Sequence, residues 1–328
     1  MEKIKKFLNE YWVIITFFVF NLLFFYLPLP YVVSGTGGLI PIKDRFSIDG
    51  EHIDNYYMAY VSSYKGTPAT VLYGLLKKGF DVDKMSLDEQ ELDDLSSQAL
   101  LSSSSNNSVI YAYLKAGKEV SFTNSYFEVL SFDENSSTDL KVGDKIYGAD
   151  MVEFSSPDNI MEEFKNIIDS KEVGDRITLL IERDGKRING YADVYLIDDE
   201  KKTGIFGFAS SDIKMDPEIK FSFDEKESGP SGGFMLSLAI YDLLTEENVS
   251  HGLKIAGTGT IDTLGNVGVI GGVSYKIMGA KKEDIDVFFV PDDNYLEASE
   301  VCADYGCDFD LVKISTFDDA LEYLKNYD

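Results

Sequence analysis

No charged side chain occurs between Tyr11 and Val33, and that run limits what the chain can become more than any other feature. The stretch Tyr-Trp-Val-Ile-Ile-Thr-Phe-Phe-Val-Phe-Asn-Leu-Leu-Phe-Phe-Tyr-Leu before Pro28 is about the length needed to cross a bilayer. The first expectation is therefore a transmembrane helix over residues 11–33, behind a tail of residues 1–10. A buried core helix is disfavoured because the run has no polar face. A cleaved signal peptide is the other alternative, since Val33-Ser34-Gly35 supplies small residues, although the apolar run is longer and more aromatic than a signal core. Lys3, Lys5 and Lys6 precede the run, whereas Lys43 and Arg45 beyond it stand among acidic residues. Positive-inside bias then expects a cytoplasmic N-terminus and an extracytoplasmic chain from Ser34 onward.

The formal charge of −27, from 57 acidic against 30 basic residues, repels phosphate backbones, so no nucleic-acid partner is expected. The hydrophobic share of 44% is ordinary for a chain that buries cores, which excludes a wholly disordered protein. Cys302 and Cys307 lie in Cys-Ala-Asp-Tyr-Gly-Cys, a spacing that fits no common zinc pattern and has no second Cys or His pair to complete one. They are read as unpaired structural cysteines, with a local disulfide open only outside the cytosol. No metal and no cofactor is expected.

Residues 34–118 form a first region of mixed signals. Tyr56 to Ser63 reads as a strand, and Ala69 to Leu76 is ambiguous between strand and helix. The acidic stretch Asp81 to Asp94 leads into the serine run Ser102 to Ser105, read as a solvated helix face and a loop. Residues 119–200 have a different texture. Phe127-Glu128-Val129-Leu130 reads as a strand and Leu140-Lys141-Val142-Gly143-Asp144-Lys145-Ile146-Tyr147 turns into another. Pro157 is expected to begin a helix carrying Ile160, Phe164, Ile167 and Ile168. A strand from Arg176 to Glu182, the turn Asp184-Gly185 and a last strand follow. This order and wording resembles a PDZ domain of the bacterial protease-associated type. The resemblance implies that an extended peptide end adds as a strand in a groove between the strand near Phe127 and the helix starting near Pro157. The segment Asp133 to Asp139 replaces the small residues usual before Gly-Asp, which leaves open a PDZ that binds nothing.

From residue 201 to 328 strands and helices alternate, as in an α/β domain. Here Gly229-Pro230-Ser231-Gly232-Gly233 opens a nearly all-apolar segment, Phe234 to Leu244, expected to be a buried helix. Unpaired amides and the positive dipole end at its start would suit an oxyanion beside Ser231. Taken alone, such a glycine-rich stretch is in most proteins a loop without chemistry. Only His52 and His251 are present, neither in a hydrolase-like setting, so a serine nucleophile would need a different base. In a helix beginning near Gly272, Lys276 shares one face with Val273, Ile277 and Ala280. Burial there would favour a neutral amine able to take a proton; a lysine snorkelling from the edge of the face is the competing reading.

Gly-Pro-Ser-Gly-Gly, Gly257-Thr258-Gly259-Thr260-Ile261, Gly265-Asn266-Val267-Gly268-Val269-Ile270-Gly271-Gly272, Lys276 and Phe288-Phe289-Val290-Pro291 together closely resemble the proteolytic domain of the Lon family. With the anchor and the PDZ-like segment, the whole looks like the membrane-anchored, PDZ-containing Lon-like proteases of bacteria. The resemblance implies an α/β (α+β) Lon-type proteolytic domain, preceded by a PDZ-like β/α domain and one N-terminal transmembrane helix. It implies Ser231 as nucleophile, Lys276 as general base and Thr258 as the group that positions the amine, with Gly229 and Gly232 supporting the loop. Gly232 stands where alanine is usual, and Ser228 where an acid is often found. No Walker motif occurs in the sequence, so the expected activity is an ATP-independent serine endopeptidase acting on unfolded or extended polypeptides. Hexameric rings are implied by resemblance alone. A catalytically silent adaptor and a self-processing protein remain alternatives.

Overall fold

The computed structural model describes residues 2–156, 159–197, 199–245 and 247–327. Helix α1 runs Glu2–Tyr26 and stops before Pro28 and Pro30, which lack an amide donor and push the preceding residue out of helical geometry. The uncharged run therefore divides. Asn9–Tyr26 is a helix long and apolar enough to cross a membrane, with none of its length buried. Tyr31-Val32-Val33 instead opens strand β1, Tyr31–Pro41, and Val33 is fully buried. The expected span of residues 11–33 is thus corrected at its C-terminal end.

Strand β2 (Tyr56–Lys65), helix α2 (Pro68–Leu76), strand β3 (Phe80–Lys84) and the long helix α3 (Leu87–Lys115) follow. A capping box between Thr67 and Thr70, with Pro68 in the first turn, resolves the ambiguous segment in favour of helix. Ser86 and Glu89 start α3 in the same way. Next come β4 (Glu119–Phe132), β5 (Lys145–Ala149), α4 (Ile160–Asp169), β6 (Arg176–Arg183), β7 (Lys186–Asp193) and β8 (Ile205–Asp216). The expected helix start at Pro157 lies outside the described residues. The C-terminal part consists of α5 (Gly233–Thr245), β9 (Ile255–Gly257), β10 (Thr260–Ile261), β11 (Val267–Gly268), α6 (Val273–Ala280), β12 (Val287–Pro291), α7 (Asp292–Tyr305), β13 (Asp310–Ile314) and α8 (Phe317–Lys325).

One sheet has the order β13-β12-β9-β2-β1-β3. Its central strand β9 runs parallel to β12 on one side and to β2 on the other, with Ile255 facing both Val287 and Tyr56. Residues 34–118 and 201–328, separate regions by sequence texture, therefore share one sheet. Their common core includes Tyr56, Met58, Val109, Phe234, Leu238, Ile255 and Phe289. Texture along the chain cannot reveal such a pairing, because the partner strand lies some two hundred residues away.

The second sheet, β8-β4-β5-β6-β7, holds α4 against a core of Phe127, Ile146, Phe164 and Ile177. Its outer strand β8 lies beyond residue 200, so the PDZ-like unit extends past that expected boundary. The expected groove beside Phe127 is also corrected. Phe127 is buried, and β4 is hydrogen-bonded on both sides, Phe127 facing Ala209 of β8 and Ile146 of β5. The edge nearest that position belongs to β8.

Cys302 and Cys307, expected to be unpaired, are joined by a disulfide, with Cα atoms 5.1 Å apart. Helix α7 ends at Tyr305, and Gly306 follows with a positive φ of 75°, which turns the chain back and brings the two residues within bonding reach.

Candidate active site

Helix α5 begins at Gly233, so Ser231 sits two residues ahead of it. The Ser231 carbonyl accepts hydrogen bonds from the Gly259 amide at 2.8 Å and from Thr258 Oγ1 at 3.0 Å, while the Phe234 amide donates to the Gly259 carbonyl. The link between β9 and β10 is thus stitched to the loop that carries Ser231. The amides of Ser231 and Gly232 have no acceptor among the described residues. They remain available to an incoming anion.

Lys276 lies on α6 with only 2% of its surface exposed, among Val273, Ile277 and Ala280. The expected apolar face is present, and the lysine does not snorkel out of it. Its Nζ donates to Thr258 Oγ1 at 2.9 Å, and among the described residues no acid pairs with it. Burial without a counter-charge disfavours the ammonium form and lowers the amine to about 7. Gly272 caps α6 with φ of 66°, and a Cβ there would press on Val61, so glycine is required at that turn.

Ser231 and Lys276 line one cleft of about 450 Å³, together with Met58, Leu101, Phe223 and Ile270. Among the described residues no hydrogen bond joins Ser231 Oγ to Lys276 Nζ. The structure brings Ser231, Thr258 and Lys276 into one constellation, linked through the Thr258 hydroxyl. Gly229 donates its amide to the Ser97 carbonyl at 2.8 Å. Gly232 packs beside Met58, whose sulfur would lie 2.7 Å from an added Cβ. That contact gives a physical reason for glycine where alanine is usual.

The serine run is not a solvated face, and the sequence expectation is corrected here. Helix α3 packs against α5, and Ser104, Ser105 and Ser108 are buried. Ser104 Oγ donates to the Pro230 carbonyl and Ser108 Oγ to the Gly233 carbonyl, each at 2.8 Å. Small hydroxyl side chains let the two helices approach while satisfying carbonyls around the Ser231 loop. Sequence reasoning also missed Arg45. Its guanidinium holds Glu227 through Nε at 2.8 Å and Nη2 at 2.5 Å, which tethers the segment leading to Ser231 in bidentate fashion.

Residues 225–326 match the family described as the Lon protease (S16) C-terminal proteolytic domain. Lon protease of Campylobacter jejuni is 33% identical over 98 residues, covering 30% of this chain and 12% of that protein. Lon protease 2 of Borreliella burgdorferi is 29% identical over 116 residues, covering 34% of this chain and 14% of that protein. The matched part thus spans less than a sixth of the length of these curated relatives. Among solved structures, the PDZ domain of the SdrC-like protein of Listeria innocua shares 28% identity, with a TM-score of 0.23, and covers 25% of this chain and 92% of that domain.

Proposed function

We propose that this chain, which carries a Lon-type proteolytic domain and a PDZ-like domain, is a membrane-anchored serine endopeptidase that works without ATP. The observation that carries this reading is a buried lysine with no acidic partner among the described residues, bonded to the threonine that also holds the Ser231 backbone. In its neutral form Lys276 spends one N–H on Thr258 and keeps a lone pair for the Ser231 hydroxyl. Ser231 Oγ attacks the scissile carbonyl as its proton passes to Lys276, and the amides of Ser231 and Gly232 hold the oxyanion. The ammonium then protonates the leaving amine. A water molecule, deprotonated by the same amine, releases the acyl group.

Extracytoplasmic placement is supported by Lys3, Lys5 and Lys6, which precede the uncharged run within α1, and by the disulfide, a bond that persists in oxidising compartments. Substrates are polypeptides already extended, with the outer edge of β8 as the place where a chain end would add. Assembly into rings is carried over from the family resemblance.

The test uses the full-length protein on an unfolded polypeptide in the absence of nucleotide. Fragments should appear, and the rate should rise as pH increases from 6 to 8, because the active amine forms as Lys276 loses its proton near pH 7. No cleavage, cleavage strictly dependent on ATP, or a rate that falls over this range would sink the reading. Arg45→Ala provides a second check. Freed of its partner, Glu227 no longer holds the Ser231 loop, and kcat/KM should fall by about 10- to 100-fold. Arg45→Lys should recover only part of the loss, since an ammonium cannot make the bidentate contact. Unchanged steady-state kinetics in Arg45→Ala would remove the tether from the account.

A further inference from the structure

Helix α2 presents an apolar face that no part of the described chain covers. Gly74 lies on its inner side, where an added Cβ would meet Val33 and Val82 at 2.6 and 2.8 Å, so this side rests on β1 and β3. On the outer side Leu72 and Tyr73 are about half exposed, and Leu75 and Leu76 are 70% and 78% exposed. Between this face and the last turn of α1 runs an apolar groove of about 670 Å³, lined by Phe24, Phe25, Tyr64, Leu72, Tyr73 and Leu76. Four large apolar side chains standing in water on a nine-residue helix would be costly in a soluble domain.

The position of α2 says what covers it. Only Leu27, Pro28, Leu29 and Pro30 separate α1 from β1, a reach of at most about 14 Å. That linker is not loose. Leu29 donates its amide to the Gly66 carbonyl, and Gly66 donates to the Tyr31 carbonyl, each at 2.7 Å. Gly66 stands two residues before the start of α2, so the helix is held against the end of the apolar α1. Charge points the same way. In a chain with 57 acidic residues, none occurs from Tyr56 to Gly79, and α2 ends on Lys77 and Lys78. This is the composition of a surface that meets lipid headgroups rather than one that avoids them.

We propose that α2 lies in the interface of the bilayer that α1 crosses, with Leu72, Leu75 and Leu76 among the upper acyl chains and Lys77 at the headgroups. The inference rests on the reading of α1 as a membrane span. Its consequence is a second membrane contact, which stops the protease domain from swinging on the anchor and keeps its cleft at a set height above the membrane.

The single tryptophan, Trp12 in α1, lets both ideas be read separately. The full-length protein is reconstituted into phosphatidylcholine–phosphatidylglycerol vesicles with and without dibrominated acyl chains, which quench tryptophan on contact. Wild-type emission reports α1. The variants Trp12→Phe/Leu75→Trp and Trp12→Phe/Leu76→Trp report α2, at sites exposed enough to accept the ring. Quenching of Trp12 together with blue-shifted, quenched emission from positions 75 and 76 is the expected result. Quenched Trp12 with water-like, unquenched emission at both α2 sites overturns the docking but leaves the anchor. Blue-shifted but unquenched emission means that protein, such as a second copy of the chain, covers the face, and this also overturns it. An unquenched Trp12 removes the anchor itself and the docking with it.

Discussion

Replacing Lys276 by methionine is expected to lower cleavage by on the order of 10³-fold or more, and also to make the folded protein more stable at pH 7. The first effect follows from loss of the buried amine in the cleft that reaches Thr258. Ser231→Ala should cost a similar amount, and the double variant should be no worse than either, since nucleophile and base act in one step. Lys276→Arg should not rescue, because a guanidinium keeps its proton.

The stability effect has a definite sign. The amine of Lys276 is lowered from its ordinary 10.5 to about 7 by burial. Between those values the unfolded chain binds a proton that the folded chain does not, so stability climbs as pH rises from 7 to 10.5 and is flat below 7. The penalty is therefore fully present below pH 7 and amounts to at most about 5 kcal/mol, offset in part by the bond to Thr258. Methionine fills a similar volume without the charge. Thermal unfolding at pH 7 and at pH 9.5 measures this, and the gain over wild type should shrink at the higher pH. A variant that is less stable at pH 7, or one that still cleaves, would contradict the assignment of Lys276 as a buried base held at a cost to stability.

Ser108→Leu is expected to destabilise the fold by about 2–5 kcal/mol, whereas Ser102→Leu should stay within about 0.5 kcal/mol. Ser108 is fully buried where α3 meets α5, and its hydroxyl bonds the Gly233 carbonyl at 2.8 Å and the Ser104 carbonyl at 2.7 Å. A leucine there must force the helices apart and leaves the Gly233 carbonyl without that donor. Ser102, by contrast, faces solvent. Because Gly233 opens the helix behind Ser231, Ser108→Leu should also reduce cleavage at temperatures where the protein remains folded. Equal unfolding midpoints for the two variants would return the serine run to a plain solvated face.

These two residues also show what was legible in the chain and what was not. The apolar surroundings of Lys276 could be read from helical spacing, since Val273, Ile277 and Ala280 are its near neighbours in sequence. The surroundings of Ser108 could not. Its acceptor lies 125 residues away, and a serine-rich stretch has the same composition whether it faces water or a second helix. Arg45 and Glu227 are 182 residues apart and look like ordinary surface charges until the fold joins them. The cysteine pair lay between these cases: its spacing was visible, but bonding depended on the turn at Gly306.

The apolar N-terminal helix, the alternation of strand and helix, and the order of motifs in which Ser231, Thr258 and Lys276 occur can all be read along the chain. These depend on side-chain chemistry and on periods of a few residues. It took the folded molecule to show that residues 34–118 complete the sheet behind Ser231, that β8 rather than β4 forms the outer edge of the PDZ-like sheet, and that buried serines brace the Ser231 loop. The extent to which Lys276 is removed from water likewise emerges only on folding. Burial and strand pairing are created by residues far apart along the chain, so no local pattern carries their signature.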